Sequence, residues 1–426
     1  MGSAGDRGLE RATFLVCGAT TVLPWLSFIS AVDFFKDVFP DYKVQYVTAA
    51  VNMSTLLLFT FINMCLSNYS TTENRMRISG YLLAAFLVIV PLMNEFLIVP
   101  IANAPTDDSK LPVLFAVLIL AEVAAAATNA VFQSSLYGMA GEMQVDGDLM
   151  GRSEVGKGIA GIGVLVLRAL TKAVFPETHT GMAHSGTAFF LAAVFLAGAS
   201  MILFDRMMAK RRRLASAKAD PEAGQEAKVE ATETTALLGD RKEAVAEEDL
   251  ESHSWAVHIE VFRAVKNCAF TTMVAFIVCL ACFPGLTSSL QSTSWNLGSW
   301  FPLVLISLYN IGDLVGKTSP TIKMCLRADN VHMPAIFMVI FFVPAFLSCL
   351  FFQLHDLVPC ILVIALGAMT GYVTTSAMML GPAQVPPNRR DTAGQLCALF
   401  LISGLCFGSL IGMGISHMHV TPLARG

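Results

Sequence analysis

An all-α protein that crosses a membrane about eleven times is the fold class this chain predicts, and three observations predict it. Of its 426 residues, 55% are hydrophobic and only 14% carry a charge, where soluble domains carry about a quarter. The mean hydropathy is +0.62, and the apolar residues gather into runs near the roughly 20 residues that a bilayer-spanning helix needs. Lys and Arg, finally, concentrate at alternate ends of those runs, the asymmetry that orients a multi-pass protein.

The first run, near 12–32, follows Arg7 and Arg11 and lacks a small-residue cleavage site. It reads as a retained helix rather than a signal peptide. The opening MGSAGD places Asp6 where a myristoylation motif needs Ser or Thr. Further runs lie near 45–66, 78–100, 112–139, 155–175 and 186–206, and five more near 265–290, 300–322, 333–353, 357–380 and 392–417. The chain therefore divides into an N-terminal six-helix bundle over 1–206, a linker over 207–262 and a C-terminal five-helix bundle over 263–426. Pro24, Pro91, Pro284, Pro302 and Pro344 fall inside runs, where neighbouring helices can satisfy the backbone groups they free.

A cytosolic N-terminus puts Arg75, Arg77, Arg152, Arg206, the KRRR run 210–213, Lys323, Arg327, Arg389 and Arg390 inside. Lys36, Lys43, Lys110, Lys172 and Arg425 remain opposite, and an odd number of spans leaves the C-terminus extracellular or luminal. In this topology the sequons at Asn52 and Asn68 are not glycosylated. The linker is rich in Ala, Glu and Lys; it cannot bury enough surface to fold alone and is expected to be disordered and cytosolic. Its basic start can rest on anionic lipid headgroups or serve as a solvated stop-transfer flank. Within it ETTALLGD has the form of an acidic dileucine sorting signal, with Glu233, Leu237 and Leu238 in the matching places. A sorting adaptor reading it would send the protein to an endolysosomal or vacuolar membrane; the plasma membrane is the alternative.

Nearly all of the ten cysteines lie inside apolar runs, so no disulfide framework is implied, and the Cys279–Cys282 spacing does not make a metal or redox site in such a setting. The chain has no phosphate loop, no HExxH and no Ser/His/Asp arrangement. Nothing indicates an enzyme, a cofactor, a bound metal or a nucleic-acid partner.

Function has to be sought in the polar residues within the apolar runs, because a charge at mid-bilayer costs about 2.5–3.5 kcal/mol even on the lenient scale. Asn310, Asp313 and Lys317 share one helix face in YNIGDLVGKTSP. They form either an ion pair that locks packing or a polar stripe on a water-filled cavity, where Asp313 accepts hydrogen bonds from a hydroxylated ligand. In the fourth run Glu122 and Gln133 lie eleven residues apart with Asn129 close by. The Gln133 amide suits the edge of a heterocyclic base, and Glu122 is a candidate proton site or a carboxylate held by a basic partner. The fifth run carries Lys157, a snorkelling or gating residue near the cytosolic interface, and Arg168, deep enough to need a partner, for which Glu122 is available. Gly156, Gly158, Gly161 and Gly163 allow this helix a close neighbour. In the first run Trp25, in mid-helix beside Pro24, can form an aromatic wall for a flat ring. Asp33, near the outer end, is a second candidate proton site or a solvated residue.

Taken together, these motifs resemble the equilibrative nucleoside transporters, plant and protist members above all. LPWLSFISAVDFF resembles the first-helix LPWN motif, FQSSLYGMAGEM the fourth-helix block and GKGIAG the fifth-helix GQGLAG. FPGLTS is similar to FPxxT of the seventh helix, YNIGDLVGKTSP to FNxxDxxGR of the eighth, and GYVTTSAMMLGP with DTAGQLCALFLISGLCFGS to the last two helices. The resemblance implies a relative of the major facilitator fold in which a 6+5 pair of bundles rocks about a central site. It implies that Trp25, Gln133, Asn310, Asp313 and Lys317 line that site, Gln133 toward the base and Asp313 with Lys317 toward the ribose hydroxyls of adenosine, uridine or a similar nucleoside. Three positions depart from the pattern: Leu26 for the motif Asn, Lys157 for the Gln of GQG, and Lys317 for the motif Arg. Arg and Lys are not interchangeable at a bidentate contact, so nucleobases stay open as substrates, and transport stays open as facilitative or proton-coupled. A battenin-like lysosomal transporter, and a membrane receptor or scaffold acting through its linker, are the competing readings.

Overall fold

Long apolar runs broken by short polar turns become helices that pack side by side. The computed structural model describes residues 4–30, 44–93, 111–143, 148–175, 179–226, 255–287, 290–352 and 354–417, with the single positions 35, 38, 39, 42 and 96. Among the described residues there are eleven α-helices and no strand. They are α1 (Ala4–Ser30), α2 (Val44–Cys65), α3 (Thr72–Met93), α4 (Leu111–Met143), α5 (Asp148–Val174), α6 (His179–Glu226), α7 (Trp255–Leu280), α8 (Phe301–Ile322), α9 (His332–Phe352), α10 (Leu357–Ala383) and α11 (Arg390–His417). Seven of the described stretches are long and apolar enough to cross a membrane by length and composition, and those of α5 and α8 are not among them. Both carry charged residues in mid-helix, which is what lowers their apolar content. Outward-facing Leu120, Phe195 and Ile340 are largely exposed, as side chains that face lipid must be.

The expected linker is helical at both ends. α6 continues to Glu226 and α7 already begins at Trp255. The Ala, Met, Lys and Arg residues beyond 206 are good helix formers, and ion pairs from Arg211 to Glu10 (4.0 Å) and from Arg212 to Glu73 (2.5 Å) hold the extension against α1 and α3. Glu233, Leu237 and Leu238 lie outside the described residues, as does Asp33.

Within the first six helices α1 packs on α5 and α6, and α4 on α2 and α3; within the last five α8 packs on α10, and α7 on α10 and α11. The two sets meet along seams where α11 lies on α2 and α4, and α5 lies on α8 and α10. α8 and α10 approach unusually closely. A side chain at Gly312 or Gly316 would run into the α10 backbone at Ile364 and Ala368, and one at Gly367 or Gly371 into the α8 backbone at Tyr309 and Asp313. This reciprocal small-xxx-small contact lets two helices touch backbone to backbone and sets the rotation of α8, hence where Asp313 points.

α7 ends in a π-helical turn, Ala281–Leu286, with Phe283 extended at φ −135° and ψ 119°. The Phe283 ring stacks on Tyr309 of α8, centroids 4.3 Å apart, and the Tyr309 hydroxyl lies 2.9 Å from Cys279 Sγ. π-turns inside helices mark functional sites often enough to draw attention here. Asp356, just before α10, ties down the loop after α7. Its carboxylate accepts hydrogen bonds from the Thr293 and Trp295 backbone N–H groups (2.7 and 2.8 Å) and from the Ser292 hydroxyl (2.7 Å).

Candidate functional site

The candidate residues of α8 lie at its seam with α5. Pro302 in the first turn of α8 needs no helical hydrogen bond of its own, and from there Asn310, Asp313 and Lys317 follow on one face. Lys317 Nζ lies 2.7 Å from Asp313 Oδ2, and both residues are 7% exposed. The intrahelical ion pair that the spacing allows is therefore made. Asn310, half-buried, donates to the Ile306 carbonyl at 2.8 Å, while its side-chain oxygen fills the place a Gly161 side chain would occupy. Gly161 and Gly158 of α5 are thus what brings α5 against α8.

α5 adds a second pair. Lys157 Nζ lies 3.0 Å from Glu154 Oε1, and the same carboxylate accepts the hydroxyl of Tyr137 from α4. The Lys157 ammonium also sits 4.7 Å from the centre of the Tyr137 ring. Glu154 is fully buried, Lys157 nearly so, and both interact electrostatically with the α8 pair across the seam. Two acids and two bases are thereby collected in a neutral cluster.

Gln133 is buried one turn before Tyr137 on α4, and one turn earlier Asn129 donates to the Thr21 carbonyl of α1 at 2.8 Å. Trp25 follows one turn later on α1 and is half-buried. Glu122 lies higher on α4, fully buried, with Asn52 of α2 facing it; neither carboxyl oxygen has a hydrogen-bond partner among the described residues. The backbone of Arg168 is helical, but its side chain lies outside the described residues, so its expected pairing with Glu122 does too.

Two buried polar features are absent from the residues picked out by sequence. Glu154 is one: it sits three residues before Lys157, and a lysine at a buried amide-type position is the signal that an acid must be near. The other lies at the end where α3 and α11 begin. There Arg75 donates to the Asn63 carbonyl (3.2 Å), Thr72 (3.1 Å) and Gln395 (3.5 Å), and lies 4.0 Å from Asp391. Thr72 and Gln395 both donate to that carboxylate, at 3.1 and 3.0 Å. This network joins the two helix sets at the expected cytosolic end.

A family model described as nucleoside transporter matches residues 119–417, well over half of the chain. The chain belongs to the nucleoside transporter family. Nucleoside transport is its function, and its family is one of transporters rather than enzymes. The transporter is 28% identical over 406 residues to equilibrative nucleotide transporter 1 of Arabidopsis thaliana, covering 93% of this chain and 84% of that protein. It is 26% identical over 452 residues to equilibrative nucleoside transporter 2 of Rattus norvegicus, covering 93% and 94%. Among solved structures it is similar to the major facilitator proton:xylose symporter (TM-score 0.66, 10% identity, 96% of this chain and 88% of that one). A bacterial homologue of ferroportin in its outward-facing state gives a TM-score of 0.62 at 13% identity, covering 95% and 92%. The transporter therefore has a major-facilitator-like, multi-pass membrane fold.

Proposed function

We propose that the transporter carries nucleosides such as adenosine or uridine by alternating access, with the substrate held where α4, α5 and α8 converge. In this reading all eleven helices cross the membrane, residues 1–206 and 263–426 form the two rocking bundles, and the N-terminus is cytosolic. The observation that carries it is the buried Asp313–Lys317 pair on the α8 face that meets α5, 2.7 Å apart. A sugar diol can bridge such a pair, one hydroxyl donating to the carboxylate and the other accepting from the ammonium. Gln133 then meets the base edge with its donor and acceptor, Trp25 supplies a flat apolar wall, and Asn310 lies on the approach to Asp313.

Two seams serve the motion. The α5–α8 seam contains the substrate, and the Arg75–Asp391 network, which lies against Gly138 beside Tyr137, closes the cytosolic end until the bundles rock. Glu122 is the candidate for proton coupling, since a buried carboxyl that faces no counter-charge among the described residues can exchange a proton with little else changing; Asp33 is the second candidate. Arg168 is a structural charge, and Glu233, Leu237 and Leu238 address the protein to an endolysosomal or vacuolar membrane rather than the plasma membrane. Uptake of labelled nucleosides and nucleobases into proteoliposomes, with and without a pH gradient, tests this. Saturable nucleoside uptake is expected, and uptake of none of them would refute it.

A further inference from the structure

The α5 pair, Glu154 with Lys157, takes no part in the substrate contacts just described. Glu154 Oε1 receives both Lys157 (3.0 Å) and the Tyr137 hydroxyl, while Oε2 is buried with no hydrogen-bond partner among the described residues. Across the seam the cation of α8 is Lys317, and it interacts electrostatically with this carboxylate. Two ion pairs therefore lie side by side, each closed within its own helix at i,i+3 and i,i+4 spacing. The seam between them is one that must part during transport.

We propose that Lys157 is a positioning residue: by neutralising Glu154 within α5, it keeps that carboxylate from capturing Lys317 across the seam. The inference rests on the alternating-access reading. A bond closed within one helix survives when the helices separate, whereas a bond between helices must break. Pairs sealed within α5 and within α8 let the bundles part without stranding a buried charge on either face, which is the costly outcome for an ion pair in a low-dielectric site. With Lys157 gone, the open oxygen of Glu154 faces a cation on the opposite bundle and fastens the two together.

Lys157→Gln is the decisive variant. It is expected to lower the maximal rate of nucleoside uptake about tenfold, the change that about 1.4 kcal/mol of added stability in the joined state produces. Adding Glu154→Gln removes the captor and recovers most of the rate, a rescue that lost packing at position 157 cannot give. Hydrogen exchange of segments 72–80 and 387–396, measured without substrate, reads the same event: slower in Lys157→Gln than in wild type, and restored in the double variant. The proposal is overturned if the double variant is as slow as Lys157→Gln, or if neither rate nor exchange changes in the single variant. A wild-type protein that moves no nucleoside counts against the transport reading alone, because the exchange series still decides the charge capture.

Discussion

Replacing Asp391 by Asn should loosen the joined ends of α3 and α11 by an amount the structure lets one work out. Asp391 lies 4.0 Å from the Arg75 guanidinium, at the limit of an ion pair. The gross attraction at that distance is about 4 kcal/mol for an effective dielectric near 20, and desolvation offsets most of it, leaving about 1 kcal/mol for a partly exposed pair. The Thr72 hydroxyl bond to Asp391, 3.1 Å long, loses its charged acceptor, which removes about another 1 kcal/mol. The sum of about 2 kcal/mol corresponds to roughly a thirty-fold rise in the opened population. Hydrogen exchange resolves this: segments 72–80 and 387–396 should exchange roughly thirty-fold faster in Asp391→Asn, while α9, remote from both, keeps its wild-type rate. Unchanged exchange in the two segments would refute the reasoning, and so would a uniform rise over all helices, which would mean general destabilisation instead of a released latch.

Four other variants have expected outcomes. Burial pushes the Asp356 carboxyl up, but hydrogen bonds from Thr293, Ser292, Trp295 and Ser294 outweigh it and hold the group well below the usual carboxylate range. A depressed folded value means the clamp contributes fully above the unfolded value of about 3.9 and is lost as pH falls through the lower one. Proteolysis of loop 290–297 should therefore stay slow at pH 5 in wild type and become fast in Asp356→Asn at pH 7 as well. Glu122→Gln should keep its melting point, since an amide can still face Asn52 and no counter-charge meets Glu122 among the described residues, whereas Glu154→Gln strips Lys157 of its partner and should cost about 3 kcal/mol, read by melting in detergent. Gly371→Val should fail to yield folded protein, as its side chain would meet the α8 backbone between Asp313 and Lys317.

The helices were readable because length and apolarity alone specify a span. The run near 333–353 becomes α9 at His332–Phe352, and that near 357–380 becomes α10 at Leu357–Ala383. The end of α6 was not, because a polar stretch of good helix formers looks like linker until Glu10 and Glu73 are seen holding its arginines. The α8 pair was legible from i,i+4 spacing. The Arg75–Asp391 network was not, since its members are 316 positions apart in number and only the fold brings them together. Glu154 escaped for another reason: a carboxylate near a helix start reads as solvated until Tyr137 and Lys157 are seen closing over it.

The central claim, that the buried Asp313–Lys317 pair binds the nucleoside, is tested most directly by saturable uptake of labelled adenosine and uridine into proteoliposomes bearing wild type or Asp313→Asn. Wild type should take up at least one of them, and Asp313→Asn, reconstituted at equal amount and with the same helical content, should fall to the level of empty liposomes. Wild-type uptake by Asp313→Asn would contradict the account.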